Sequence, residues 1–333
     1  MDRLCSDTMT IGLMLPSYLD PGERLSLAED ADDRGIDAVF AGESASSNLF
    51  VDLTRIAMRT SSVRIGAGIA NVYSRSPSLI ALSAAQIDTI SDGRTILGLG
   101  TSTPSLVEGL HGVPFERPVS RTAEYIEIVR EGWTGDRLEY EGEYYSPSGG
   151  RLLETPVRGD IPIAIAALGP ANRRLTGAKA DVWLPHLVPR SVFDERAADV
   201  YDAARDRGRT ADEIDVYAYV PTAIDEDLDD AYDRIRKHVA TYAGSAKPYR
   251  DAIVDAGYEV AADVYRTWQN GDRDGAAQLV TDELVEDIGL VATPDDVPDR
   301  RSRWRAAGVD MVVMHFPPGT NANEIRTALA AVS

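Results

Sequence analysis

The chain has 333 residues, 44% of them hydrophobic, which is enough apolar material for one large α/β barrel or two modest domains, and its one cysteine excludes a disulfide framework or a cysteine metal site. Its formal net charge of −20 comes from 54 acidic and 34 basic residues, and only Lys179, Lys237 and Lys247 among the latter are lysines. Such an acidic surface repels phosphate backbones and argues against nucleic acid as a partner, and no apolar run approaches the ~18 residues of a membrane-spanning helix.

In chain order, the opening MDRLCSDTMT lacks the basic-then-apolar order of a signal peptide and puts Cys5 in a frayed arm, so a cytoplasmic protein is expected. TIGLMLP (10–16) reads as a first strand, followed by a helix over about 22–35. IDAVFAG (36–42) is a second strand, with VDLTRIAMRT as the helix behind it. VRIGAG (63–68) is a short β-branched run closed by glycines. Ser76 then serves as an N-cap with Pro77 at the first helical position. Ile80, Leu82, Ala84, Ala85, Ile87 and Ile90 give this helix an apolar face, and Ser91-Asp92-Gly93 stops it. RTILGLG (94–100) is a fourth strand, and a long amphipathic helix over 118–133 carries Tyr125, Ile126, Ile128 and Val129. LEYEGEYYS alternates like a small hairpin outside the barrel. IPIAIAALG (161–169), ADVWLPHL (180–187), IDVYAYVPTAI (214–224) and VDMVVMHFP (309–317) supply strands five to eight, with a helix over 191–207 and a short final helix.

Eight strands alternating with helices predict a (β/α)8 TIM barrel, a single domain over 1–333. Residues from about 226 to 290 break the alternation: they read as helical throughout, with no strand candidate. Tyr232, Ile235, Val239, Tyr242, Tyr249, Ile253, Tyr258, Val260, Val264 and Trp268 lie in this helical insertion after strand seven. It is either extra packing or an oligomer surface, or a lid over a small-molecule substrate. A homodimer or homotetramer is the expected assembly.

Acidity with lysine almost absent admits two readings, a generally acidic cytosolic protein or a halophilic one, and the second fits better. Screening at molar salt removes the self-repulsion that such charge causes in dilute buffer. Thermal melts should therefore show the melting temperature rising from dilute buffer to molar KCl. A melting temperature independent of salt would count against a halophilic origin.

The chemistry-bearing motifs narrow the choices. Strands three and four both end in small residues just before a loop, and in a parallel barrel that end is the catalytic face, where a flat ligand can lie against bare backbone. GAGIAN and GLGTST each hold a G-x-G but lack the third glycine and acidic residue of a dinucleotide fold. There is no Walker loop and no G-x-S-x-G nucleophile, and His111, His186, His238 and His315 show no paired metal spacing. No metal site is expected, and the chemistry is left to a bound cofactor.

The run GAGIANVYSRSP, then QIDTISDGR and LGLG, resembles the bacterial-luciferase-like superfamily and, within it, the coenzyme F420-dependent enzymes similar to methylenetetrahydromethanopterin reductase, an archaeal-type enzyme of one-carbon metabolism. AEDADDRGIDAVFAGE, RPVSRTAEYIEIVREGWTG, IPIAIAALGP, IDVYAYVPTAIDED and VATPDDV have counterparts there in the same order, as does the helical insertion. The resemblance implies a coenzyme F420-dependent oxidoreductase. An FMN-dependent luciferase-like monooxygenase and a non-catalytic deazaflavin-binding protein are the alternatives. It also implies a non-prolyl cis peptide after strand three, at Gly68-Ile69, supporting the deazaflavin ring together with Ala70 and Asn71. Ala166, Ala167, Leu168 and Gly169 would let backbone N–H groups approach the phosphate-bearing tail. Gly100 and Thr101, and Pro185 and His186, would form the corresponding rims of strands four and six, with His186 hydrogen-bonding the tail.

The chain departs from the reductase pattern on the substrate side, which Met14, Ser44 and Arg75 are expected to line. Met14 replaces a strand-one glutamate proposed to protonate the pterin, Leu168 replaces a strand-five glutamine, and Glu43-Ser44 replaces Asp-His after strand two. Methionine and leucine donate neither protons nor useful hydrogen bonds. Arg75 pairs with an anion or with a neighbouring carboxylate. Glu43, in the mouth, is the first candidate for a general acid or a cofactor contact, the alternative being a solvated loop carboxylate, and His315, at the end of strand eight, is either a proton donor with a pKa near working pH or, as fits better, a satisfied loop histidine. Trp183 and Trp268 are expected in the core.

Overall fold

The computed structural model describes residues 9–333, so Cys5 and the opening arm lie outside it. Eight parallel strands close into a barrel: Thr10–Leu15, Ala38–Ala41, Arg64–Ala67, Thr95–Gly100, Ile163–Ile165, Val182–Trp183, Asp215–Ile224 and Met311–His315. Each pairs with the next, and strand eight returns to strand one in a register running from Thr10↔Met311 to Met14↔His315. Strands covered on both faces must be apolar throughout rather than alternating. Strand two, AVFA, and strand four, TILGLG, are accordingly buried at every position.

Alternate side chains serve two cores. Ala38, Phe40, Ile96, Ala164, Val182, Leu184, Tyr217, Tyr219, Met311 and Val313 fill the barrel interior. The opposite set, including Leu13, Val39, Ile65, Leu97, Ile163, Val216 and Val312, packs against the surrounding helices. The helix Pro77–Ser91 starts and stops where its signals lie: Ser76 Oγ accepts from the Leu79 N–H, and Asp92 takes a left-handed conformation at φ 56°. Ile90, expected on its apolar face, is exposed instead. Trp183 is buried and donates its indole N–H to Ala167 O at 2.9 Å, and Trp268 packs on the insertion core, so both are packing residues.

Two segments differ from the sequence reading. The hairpin pairs Arg137–Glu139 with Ser148–Arg151, so the stretch expected to form the second strand is the connection. The Glu124 carboxylate takes the N–H groups of Glu143, Tyr144 and Tyr145 at 2.7–3.2 Å, which draws these residues off the ladder. The insertion comprises the helices Leu228–Ser245, Lys247–Val254, Val260–Gln269, Arg273–Gln278 and Asp282–Ile288, with a core of their own. It ends in a short strand that the helical reading lacks: Leu290–Ala292 pairs in parallel with Thr222–Ile224, extending past the barrel rim. No helix among the described residues is long and apolar enough to cross a membrane.

Candidate active site

The C-terminal ends of strands three and four hold the most closely packed backbone of the mouth. The peptide joining Gly68 to Ile69 is cis. A Cβ on Gly68 would lie 1.9 Å from Tyr219 Oη, one on Gly98 would lie 1.9 Å from Ala67 O, and one on Gly100 would lie 2.8 Å from Ile69 Cγ1. A side chain at Gly98 or Gly100 would push the bulge off strand four, and one at Gly68 would collide with Tyr219 in the barrel interior. Beyond the bulge, Ala70 and Asn71 pair in parallel with Leu99 and Gly100, and Val72 N–H donates to Gly100 O at 3.1 Å.

Glu43 and Arg75 brace this loop. The Glu43 carboxylate accepts the Asn71 N–H at 2.8 Å and contacts Ser74 Oγ and Arg75 Nη1, and its side chain is 7% exposed. Both carboxylate oxygens act as acceptors, so Glu43 ties strand two to the loop after the bulge. The Arg75 guanidinium, taken up by Glu43, also lies 5.2 Å from the centre of the Phe50 ring, so it is not a free anchor for a substrate anion. Ser44 turns to Ser46 Oγ at 2.8 Å. Met14 does face the bulge: a Cβ on Gly42 would lie 2.7 Å from Met14 Cε and 3.2 Å from Gly68 O.

The mouth carries unmet polar atoms of the kind a bound ring would satisfy. Asn71 is fully buried, its Oδ1 accepts the Tyr73 N–H at 2.9 Å, and its Nδ2 has no partner. A buried donor without a partner is costly unless something meets it. Tyr219 Oη, beneath Gly68, is likewise unpaired. On the strand-five side, the Ala166 N–H is already donated to Leu99 O at 3.1 Å, and the carbonyls of Ala167 and Leu168 are taken by Trp183 and Arg173. Of the N–H groups of this run, that of Ala166 is therefore already used within the barrel. Further donors lie at the start of the helix Pro170–Lys179, whose N-cap Gly169 contributes no side chain and has open space around it. Thr101 sits half-buried at the rim of strand four. Pro185 O accepts the Tyr219 N–H at 2.8 Å.

His186 and His315 lie at the C-terminal ends of strands six and eight, as expected, and their side chains meet one another. His186 Nδ1 meets Tyr249 Oη at 3.3 Å and its Nε2 meets His315 Nδ1 at 3.2 Å, so both ring nitrogens have partners within the fold. Burial pushes the His315 imidazole down to about 4 and holds His186 and His238 well below the usual histidine range. A neutral His315 has no imidazolium proton to give near neutrality, which corrects its assignment as a proton donor with a pKa near working pH. The helix Leu228–Ser245 adds His238 and Tyr242 to this cluster, so the insertion covers the ends of strands six to eight. Sequence spacing could not reveal the grouping. The one available signal was that strands six and eight flank strand seven, which makes residues at their C-terminal ends neighbours.

Comparison with known proteins places these features. The model of the luciferase-like monooxygenase family matches residues 3–311. A putative coenzyme F420-dependent oxidoreductase of Mycobacterium tuberculosis is 32% identical, over 97% of this chain and 99% of its own length. The 5,10-methylenetetrahydromethanopterin reductase of Archaeoglobus fulgidus is 31% identical, over 87% of this chain and 88% of its own. The solved structure of the coenzyme F420-dependent tetrahydromethanopterin reductase of Methanopyrus kandleri matches with a TM-score of 0.85 at 26% identity, covering 97% of each chain.

Proposed function

This chain belongs to the luciferase-like monooxygenase family and is an oxidoreductase, and we propose that it transfers hydride between coenzyme F420 and a small organic substrate. The observation that carries the choice of F420 is that relatives above 30% identity over most of the chain are F420-dependent or methylenetetrahydromethanopterin-reducing. The mouth supports the same reading. Gly68 and Ile69 offer a bare backbone surface to a flat ring, Asn71 Nδ2 is a buried donor awaiting an acceptor, and the uncapped helix start at Gly169 suits an anionic tail. When bound, the deazaflavin supplies the hydride, carried at its C5 carbon. The chain's own residues position it: Glu43 and Arg75 hold the loop that carries Asn71, and Met14 puts an apolar wall beside the bulge.

Fluorescence-quenching titration of the purified protein tests this reading, and tighter binding of coenzyme F420 than of FMN is expected. Tighter FMN binding accompanied by O₂ consumption would move the protein to the FMN monooxygenases. Tight F420 binding with no turnover of any carbonyl, imine or one-carbon carrier would leave a binding protein.

A further inference from the structure

Three histidines distant in the sequence meet at one point in the fold. His186 lies just past strand six, bridged to Tyr219, His315 ends strand eight, and His238 comes from the insertion helix Leu228–Ser245. One ligand-capable nitrogen from each lies within 4.8 Å of the other two. His186 Nε2 and His315 Nδ1 are 3.2 Å apart, close to the ~3.3 Å edge of a tetrahedron with metal–nitrogen bonds of ~2.05 Å.

The groups around the triad fit the same purpose. Tyr249 Oη faces His186 Nδ1 at 3.3 Å, which leaves Nε2 as the inward-facing atom, the arrangement that orients ligating imidazoles in metal sites. His238 is 2% exposed and neither of its ring nitrogens has a hydrogen-bond partner. Simple aromatic packing against Tyr242 and His315 leaves those two nitrogens unexplained.

We propose that His186, His238 and His315 bind one late first-row divalent cation, zinc by preference, leaving a fourth position for water or a substrate atom. Three imidazoles without a carboxylate select this class over magnesium or calcium, and three protein ligands with one open position is the pattern of sites that do chemistry. His238 must swing inward to close the widest gap. Because it belongs to the insertion and its partners to the barrel, the cation would fasten one to the other. The inference does not depend on which flavin-type cofactor the mouth holds.

The test is a cobalt titration of chelator-treated, full-length protein, with excess Mg²⁺ to saturate the acidic surface. One Co²⁺ per chain is expected, with the visible absorption of low-coordinate cobalt, displaced by Zn²⁺. His238→Ala should weaken binding more than ~100-fold and Tyr249→Phe about 10-fold, since even outer partners are worth 10–100-fold. Zn²⁺ should raise the melting temperature of wild type and leave that of His238→Ala unchanged. Should His238→Ala fail to fold, His186→Asn gives the same readings. Wild-type protein without stoichiometric cobalt binding, or a folded ligand variant that keeps the wild-type affinity and spectrum, overturns the proposal.

Discussion

Replacing Gly68 with valine should cost both stability and cofactor affinity. The first added carbon would meet Tyr219 Oη at 1.9 Å and Phe40 Cβ at 3.2 Å. Tyr219 cannot easily yield, because its ring is buried in the barrel interior and packs edge-on against Phe40 at 5.7 Å. Overpacking of this kind costs about 1–3 kcal/mol, and valine lies at the upper end. Tyr219→Phe alone should be close to neutral, since the hydroxyl it removes is buried with no partner. In the Gly68→Ala/Tyr219→Phe pair the nearest atoms recede from 1.9 Å to 3.1 Å, at Tyr219 Cζ, and 3.2 Å, at Phe40 Cβ, which is tight but within what a small shift of the neighbours relieves. The two changes should therefore couple favourably by about 1 kcal/mol, as contacting residues do. Urea melts of the single and double variants, with F420 titrations, read both effects. A folded Gly68→Val protein with wild-type midpoint and affinity would refute the packing account of the mouth.

The second large effect concerns substrate choice. Reduction of a methylenetetrahydropterin needs a proton at the reacting carbon–nitrogen centre, and general-acid help is worth about 10²–10⁴-fold. Met14 stands beside the bulge, level with His315 on strand eight, and has no proton to give. Leu168 removes an amide that could orient the same group. Wild-type protein with reduced F420 should thus turn over methylenetetrahydropterin or methylenetetrahydrofolate poorly or not at all while still binding the cofactor. A carboxyl introduced by Met14→Glu would enter a half-buried position, where desolvation raises its pKa toward that of a useful acid. Met14→Glu with Leu168→Gln should gain on the order of 10²-fold in steady-state turnover. Brisk wild-type turnover would refute this and throw the acid role onto Glu43, in which case Glu43→Gln should abolish it.

The barrel is legible in the sequence because each strand is a short apolar run closed by glycine, proline or a cap. The glycines of GAG and GLG are legible for the same reason, and their packing explains them: Gly98 and Gly100 admit Ala67 O and Ile69. Side-chain partnerships across the mouth are not legible. Nothing local in the sequence pairs the Arg75 guanidinium with Glu43, or brings His186 against His315. The histidine contacts depend on how the insertion helix settles over strands six to eight. The hairpin escapes for a related reason, since Glu124, on a separate helix, captures three of its N–H groups.

A structure of the protein with coenzyme F420 bound tests the central claim most directly. The deazaflavin ring should lie against Gly68 and Ile69, with Asn71 Nδ2 bonded to it and the phosphate-bearing tail at the start of the helix Pro170–Lys179. A ring bound elsewhere, or a mouth that accepts FMN and excludes F420, would contradict the assignment.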